Sequence, residues 1–221
     1  MPASRLPLPL LLFALALSGC GSNAFTLYLN SSESESPILT TTALDGPRDT
    51  LIHAKQVRLT FSSASVYLAG ILARTPDPES ELGWVELLSE PLSIDLINLR
   101  GDQLRKLGEG TLPAANTLSQ IRLRLQAPEP AVDGWHLLPG AVVDAGDARC
   151  DLRIPAEAVE PGLTLPEELS FSAGEGDAEL ALVISIRLDG ATLVQDDAEG
   201  CTWELEPVLY LRPMLEPTTE T

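Results

Sequence analysis

The chain has 221 residues, of which 32 are acidic and 14 basic, so its formal net charge at pH 7 is −18. A charge of this sign argues against binding nucleic acid, whose phosphates need a basic protein surface. It also argues against a protein that lies flat on anionic lipid.

The first predicted element is an N-terminal export signal. One positive residue, Arg5, precedes an apolar run from Leu6 to Leu17, as in a secretory signal peptide. The run is too short to span a bilayer, which takes about 20 apolar residues. The tetrapeptide that ends it, Leu17-Ser18-Gly19-Cys20, resembles a bacterial lipobox, and this resemblance implies cleavage before Cys20 and its acylation, for example with palmitate. An ordinary signal peptide, with Cys20 as a free thiol or a disulfide partner, is the alternative.

The predicted domain organisation follows from that cleavage. Residues 1–19 form the signal peptide, 20–23 a short lipidated tether, 24–213 one β-domain and 214–221 a polar tail. Three or four extended residues span only about 10–14 Å, so we expect the domain to lie close to the membrane. Gly21 after the cysteine favours the outer membrane if the organism is Gram-negative.

Alternating apolar residues predict a series of short strands. In the longest run, Gln56–Leu72, the apolar parity changes between Phe61 and Ala64, which predicts a β-bulge or a bend near Ser62-Ser63. The other predicted strands are Phe25–Leu29, Trp84–Leu88, Leu92–Leu99, Leu118–Leu125, Val132–Leu138 around an Asp133-Gly134 turn, Leu152–Pro155, Leu163–Ser172, Leu180–Leu188 and Trp203–Leu211, with Pro207 at an edge position or a bulge.

The same patterning predicts the fold class. After the signal peptide no stretch keeps a 3.6-residue apolar period over about 10 residues, so we expect no long helix, and at most one helical turn within Gly101–Gly110. The sequence predicts an all-β protein, an antiparallel β-sandwich of about eight or nine strands.

The three cysteines predict one disulfide bond. With Cys20 acylated, Cys150 and Cys201 remain as an even pair, and disulfides persist in exported proteins. We therefore predict a bond between Cys150 and Cys201. The alternative is a pair of free, buried thiols that pack as small apolar side chains.

Two acidic clusters lie near these cysteines, and the disulfide would bring the two clusters together. Together they suggest a cation site. Carboxylates are the ligands that Ca²⁺ prefers, although no 12-residue calcium loop is present. Two solvated loops are the alternative interpretation, and no cofactor is otherwise expected. The candidate ligands are Asp144, Asp147, Asp151, Asp196, Asp197 and Glu199.

Aromatic and histidine residues give two further hypotheses. Trp84 and Trp135 are candidate platforms for stacking on a sugar ring, and Trp135 is the preferred one. Core packing is the alternative, which fits Trp84, before an apolar strand, and Trp203, in phase with Leu205. The two histidines, His53 and His136, lie in no Gly-x-Ser-x-Gly context. Because they do not populate the roles of a hydrolase site, we expect no catalytic residues and no enzyme activity.

A series of short segments carries a resemblance to a known family. The segments are Val57–Phe61 with Val66–Leu68, Gly83–Leu87, Ser93–Gly101, Leu112–Ala115 running into Ser119–Leu123, Leu152–Pro155, and Leu205–Leu209. In this serial order they resemble a bacterial domain-of-unknown-function family, numbered 4382, across about residues 53–212. The resemblance implies an exported β-sandwich-like lipoprotein domain and carries no catalytic residues.

We therefore expect a lipid-anchored cell-envelope protein, with a non-enzymatic structural or interaction module as its domain. The expected partners are the membrane, through the N-terminal lipid, and an envelope protein or glycan, but no nucleic acid. A ligand-binding module for glycan or calcium is the alternative.

Overall fold

The computed structural model describes residues 23–31, 38–41, 51–70, 83–99, 103–113, 116–144, 146–165, 169–172, 180–187, 192–197 and 200–212. These residues form fifteen strands and two 3₁₀ turns, Leu96–Leu99 and Ala156–Ala158. The strands are β1 (Asn23–Ser31), β2 (Ile38–Thr41), β3 (Leu51–Gly70), β4 (Trp84–Glu86), β5 (Leu92–Asp95), β6 (Arg105–Leu112), β7 (Asn116–Leu125), β8 (Trp135–Asp144), β9 (Arg149–Pro155), β10 (Leu163–Thr164), β11 (Phe171–Ser172), β12 (Leu180–Arg187), β13 (Thr192–Asp197), β14 (Gly200–Glu204) and β15 (Val208–Arg212).

Two sheets share one apolar core, which confirms the all-β sandwich. The small sheet has the order β15-β12-β1-β6. The other eleven strands form the large sheet. Eight of them follow the path β10-β7-β3-β2-β13-β14-β9-β8, while β11 pairs with β7, and β4 and β5 pair with β3, beside this path. In β1 the apolar residues of the core alternate along the strand, as the period of two requires. Phe25, Leu27 and Leu29 of β1 are at most 1% exposed.

Two parts of the fold expectation need correction. The strands outnumber the expected eight or nine because several have only two to four residues, too few to show a period. The pairing is also mixed rather than purely antiparallel, because β1–β12, β2–β13 and β9–β14 are parallel. Side chains alternate between the two faces in both kinds of pairing, so alternation alone does not distinguish them.

Strand β3 pairs with five other strands of the large sheet, namely β2, β4, β5, β7 and β8. Its pairing with β7 shifts register between Phe61 and Ser63, which confirms the predicted bulge. Before the shift Leu59 and Phe61 point into the core, and after it Ala64 and Val66 do so. The extra residue therefore keeps apolar side chains buried along both halves of the strand.

A tight turn joins residue 132 to β8, as predicted from Asp133-Gly134. Both turn residues have positive φ, 52° and 84°, which is the type I′ geometry that favours a hairpin. Val132 and Trp135 exchange two backbone hydrogen bonds, with N···O distances of 2.8 and 3.0 Å.

The expected helical turn in Gly101–Gly110 is wrong, because residues 105–112 form β6. Within this segment the side chain of Leu104 is exposed, and that of Leu107 is buried. The glycines of this segment serve close packing instead. A Cβ atom on Gly108 would lie 2.6 Å from the backbone oxygen of Leu87.

The predicted last strand, Trp203–Leu211, is interrupted at Leu205–Pro207. Its first part belongs to β14 of the large sheet and its second part to β15 of the small sheet. Pro207 therefore lies in a crossing between the sheets, directly before β15, which is an edge strand of the small sheet. This crossing ties the two layers together through the covalent chain.

The disulfide bond between Cys150 and Cys201 is confirmed. Cys150 lies on β9 and Cys201 on β14, which are neighbouring parallel strands. Their Cα atoms are 4.7 Å apart, and 51 residues separate them in sequence. The bond therefore fixes a pairing between two segments that no short turn connects.

Among the described residues, no helix is sufficiently long and apolar to cross a lipid bilayer.

The close approach at Gly108 predicts a cost for any larger side chain. Gly108→Ala should lower the free energy of unfolding by about 1–3 kcal/mol, because the added methyl group overpacks against backbone that cannot rotate away. Gly146→Ala is the matched control, since its Cβ would meet no atom closer than 3.4 Å. Urea unfolding of both variants measures the difference. Equal stability of Gly108→Ala and the unmodified chain would contradict this packing.

Loss of the disulfide should lower stability by roughly 4 kcal/mol, the loop-closure entropy of a bridge across about 50 residues. The double variant Cys150→Ala/Cys201→Ala should therefore unfold at lower temperature than the unmodified chain. A reductant should lower the midpoint of the unmodified chain to a similar extent and leave the double variant unchanged. Two free thiols in the denatured, unreduced chain would contradict the bond.

Candidate functional site

Cys20, the predicted lipidation site, lies outside the described residues, as does Glu199. The first described strand, β1, begins at Asn23. Acylation of Cys20 therefore stays a prediction from the sequence.

The acidic side chains near Cys150 each serve a local contact. Asp144 Oδ1 accepts a hydrogen bond from the Ala148 N–H at 2.8 Å, and Asp147 forms an ion pair with Lys55 Nζ at 2.8 Å. Asp151 Oδ1 accepts from the Gly140 N–H, also at 2.8 Å. These contacts shape the turn between β8 and β9 and the backbone of β8.

The backbone brings the second acidic segment next to the first. In β13, Asp196 pairs with Cys201, and the disulfide continues that row to Cys150 on β9. Within the described residues, no three carboxylate, histidine or cysteine side chains stand close enough to hold a metal ion. A calcium site that includes Asp196, Asp197 and Glu199 stays a prediction.

Trp135, the predicted glycan platform, is half-buried at the start of β8. The guanidinium carbon of Arg153 lies 5.3 Å from its ring centroid, and the same arginine pairs with Glu204 at 2.7 Å. Its neighbours Val132 and Leu137 are 70% and 41% exposed. The ring is thus supported by a cation beside a small exposed apolar area.

The other two tryptophans have structural surroundings, as the core-packing interpretation expects. Trp203 is 1% exposed. The guanidinium of Arg122 lies 3.9 Å from the ring centroid of Trp84, and Tyr67 meets the same ring edge-on at 5.5 Å. These contacts engage Trp84 within the protein itself.

The two histidines lie on different strands of the large sheet. His136 Nδ1 donates to the backbone oxygen of Glu129 at 2.7 Å, which anchors the segment before the turn to β8. His53 lies on β3 and pairs with Ile38 of β2.

A cleft that the sequence did not indicate opens on the outer side of the large sheet. Its volume is about 360 Å³, within the range of small-molecule sites. Polar residues of β3, β9 and the segment after β7 line it, together with residues 138–141 of β8. The lining residues are Arg58, Thr60, Gln126, Pro128, Leu138, Pro139, Gly140, Ala141 and Arg149. We call it the Arg58–Arg149 cleft.

A change of strand partner creates this cleft. Strand β3 pairs with β8 up to Val57 and with β7 from Phe61 onward. Between Leu138 and Val142 the pairing of β8 with β9 also shifts register, and Gly140 adopts a φ of +60° there. The bulge in β8 and the gap along β3 leave the space between them unfilled.

The two arginines of the cleft differ from most other cations of the protein. Both are exposed, and within the part of the chain that the structure describes, neither guanidinium makes a hydrogen bond, ion pair or ring contact. Contacts of these kinds engage most of the other described cations, which include Lys55, Lys106, Arg122, Arg124 and Arg153.

The carboxylate nearest to Arg58 along the sheet is directed elsewhere. Asp95 pairs with Arg58 in the β3–β5 register. Its Oδ1 accepts from the Val57 and Ile97 N–H groups at 3.2 and 3.1 Å, and its Oδ2 accepts from Asn98 Nδ2 at 2.7 Å. Asp95 therefore stabilises the start of the 3₁₀ turn and does not neutralise the cleft by an ion pair.

Glu109, a carboxyl whose pKa is shifted, lies in the small sheet and not at this cleft. The ammonium of Lys106, hydrogen-bonded to Glu109, lowers the pKa of that carboxyl below its ordinary value. Both residues belong to β6 in the small sheet, so this pair plays no part in the cleft.

Comparison with known proteins gives one match. The family described as Domain of unknown function (DUF4382) matches residues 44–200, which confirms the resemblance expected from the sequence. No curated protein and no solved structure gives a match. Strands β1 and β15 lie outside the matched range but pair with β12 inside it. Since the match covers well over half of the sequence, the chain belongs to the DUF4382 family of domains of unknown function.

Proposed function

We propose that this protein is an exported lipoprotein of the cell envelope, whose β-sandwich is a non-enzymatic structural or interaction module. The observation that carries the proposal is the Cys150–Cys201 disulfide. Disulfides persist in oxidising compartments outside the cytoplasm and are rare inside it. A protein stabilised by such a bond fits the export signal at its N-terminus.

The lipobox-like sequence gives the proposed mode of attachment. Several acyl chains on one cysteine hold a protein far more firmly than a single chain, because each buried CH₂ contributes about 0.8 kcal/mol. With β1 beginning at Asn23, the chain between Cys20 and the first strand would reach only about 10 Å. The sandwich would then stay beside the membrane, and Gly21 favours the outer membrane of a Gram-negative cell.

The charge of the chain supports this arrangement. The formal net charge of the chain is −18 at pH 7, so the protein has no net attraction to anionic lipid. The acyl chains alone would therefore retain it at the membrane. Like charges also keep crowded copies apart and soluble at the membrane surface.

Glycan binding at Trp135 is a second candidate function. The half-buried ring, backed by Arg153 and flanked by exposed Val132 and Leu137, resembles an aromatic surface on which an apolar sugar face stacks. The opposite interpretation is that the ring only covers the hairpin.

Metabolic labelling tests the lipid anchor. Cells that express the full chain and grow with radioactive palmitate should yield a labelled protein that stays with membranes in buffer. Cys20→Ser should lose the label and the membrane association. The matched control, Cys150→Ser/Cys201→Ser, should keep both. An unlabelled protein that buffer releases from membranes would contradict the proposal.

Fluorescence tests the role of Trp135. Because Trp203 is buried and Trp84 is covered by Arg122, most acrylamide-quenchable emission should come from Trp135 and disappear in Trp135→Phe. Oligosaccharides from the cell envelope should protect that emission from acrylamide in the unmodified chain. Unchanged quenching with every oligosaccharide would count against glycan binding, with Trp84→Phe as the control variant.

A further inference from the structure

The Arg58–Arg149 cleft combines features that a surface groove of this protein does not need for folding. Its two guanidinium groups come from β3 and β9, strands that do not pair with each other. Thr60 and Gln126 add a hydroxyl and an amide, and the backbone hydrogen bond from Gln126 N to Thr60 O, 2.7 Å long, holds them together. The buried side chains of Leu138 and Ala141 form its apolar part.

Charge makes this arrangement unusual. The chain carries 32 acidic residues and only 14 basic ones, so an exposed arginine has many possible acidic partners. Yet the carboxylates beside this cleft bind backbone N–H groups, as Asp95, Asp144 and Asp151 do. Two arginines whose side chains contact no partner among the described residues stand at one cleft, and both are available to an anion from solution.

We propose that the Arg58–Arg149 cleft binds an anionic ligand through a carboxylate or phosphate group. Arginine presents a planar fork of N–H donors that matches both groups, and its charge strengthens each hydrogen bond. Thr60 and Gln126 supply neutral donors and acceptors for the rest of the ligand. This inference goes beyond the proposed function, since it holds whether or not Cys20 is acylated.

The backbone keeps the site in shape. On one side Gly140, with its positive φ, donates to Asp151, which fixes the bulge of β8. On the other side β3 is held by its pairing with β5, from Arg58 to Phe61. The Cα positions of both walls are thus set by hydrogen bonds, and only the ends of the arginine side chains need to adjust to the ligand.

Calorimetric titration of the full chain in nonionic detergent tests this inference, in a Tris buffer of low ionic strength. The titrants are inorganic phosphate and sodium glucuronate, with glucose as the neutral sugar. Phosphate, glucuronate or both should bind with a dissociation constant in the low-millimolar range or tighter, and glucose should not. Binding of one anion alone would identify the phosphate or the carboxylate as the recognised group.

Arginine variants connect the binding to the cleft. Arg58→Gln and Arg149→Gln should each weaken it by about tenfold or more, because each removes charged hydrogen bonds. Arg58→Lys keeps the charge without the fork and should give an intermediate affinity. Arg105→Gln is the matched control. Arg105 is also an exposed arginine, on β6, and its side chain makes no hydrogen bond, ion pair or ring contact among the described residues.

Three results would overturn the inference. The first is that neither anion binds the unmodified chain. The second is that Arg105→Gln weakens binding as much as the cleft variants do, which would indicate general attraction by charge. The third is that glucose binds as tightly as glucuronate. Thermal midpoints close to that of the unmodified chain establish that the variants are folded, and either cleft variant alone suffices if the other unfolds.

Discussion

The register shift in β3 is the constraint on which the large sheet depends. Without the extra residue at Ser62-Ser63, either Leu59 and Phe61 or Ala64 and Val66 would face solvent instead of the core. With it, one strand of 20 residues can pair with five others and join the two regions of the sheet. The same strand leaves β8 and meets β7 near this point, so the cleft of Arg58 follows from how β3 changes partners.

The sequence was sufficient for the features that depend on local patterns. Alternation predicted most of the longer strands but not β2, β6 or β13. The parity change predicted the irregularity in β3, and Asp133-Gly134 predicted the turn before β8. The disulfide followed from counting cysteines, since Cys150 and Cys201 were the pair left after Cys20. Each of these features is encoded by neighbouring residues or by a count.

Features set by distant contacts could not be read in the same way. Arg122 alternates with Leu123 along β7, a position where alternation would place a charged side chain in solvent. It is nevertheless 1% exposed, and its guanidinium packs on the ring of Trp84. The Arg58–Arg149 cleft joins two residues that share no motif and lie on strands that do not pair. Only the tertiary fold brings such residues together, and a single sequence carries no local signal for it.

The order of the small sheet also affects how the chain folds. Its two central strands are the parallel pair β1 and β12, in which Phe25 lies opposite Leu180. The first strand to be synthesised therefore has to wait for nearly the whole polypeptide before this partner exists, and β15 arrives later still. Pairings between such distant segments give the protein a high contact order, and a high contact order slows folding. Until β12 arrives, β1 lacks one of the two strands that flank it in the small sheet, and apolar surface exposed during folding favours aggregation.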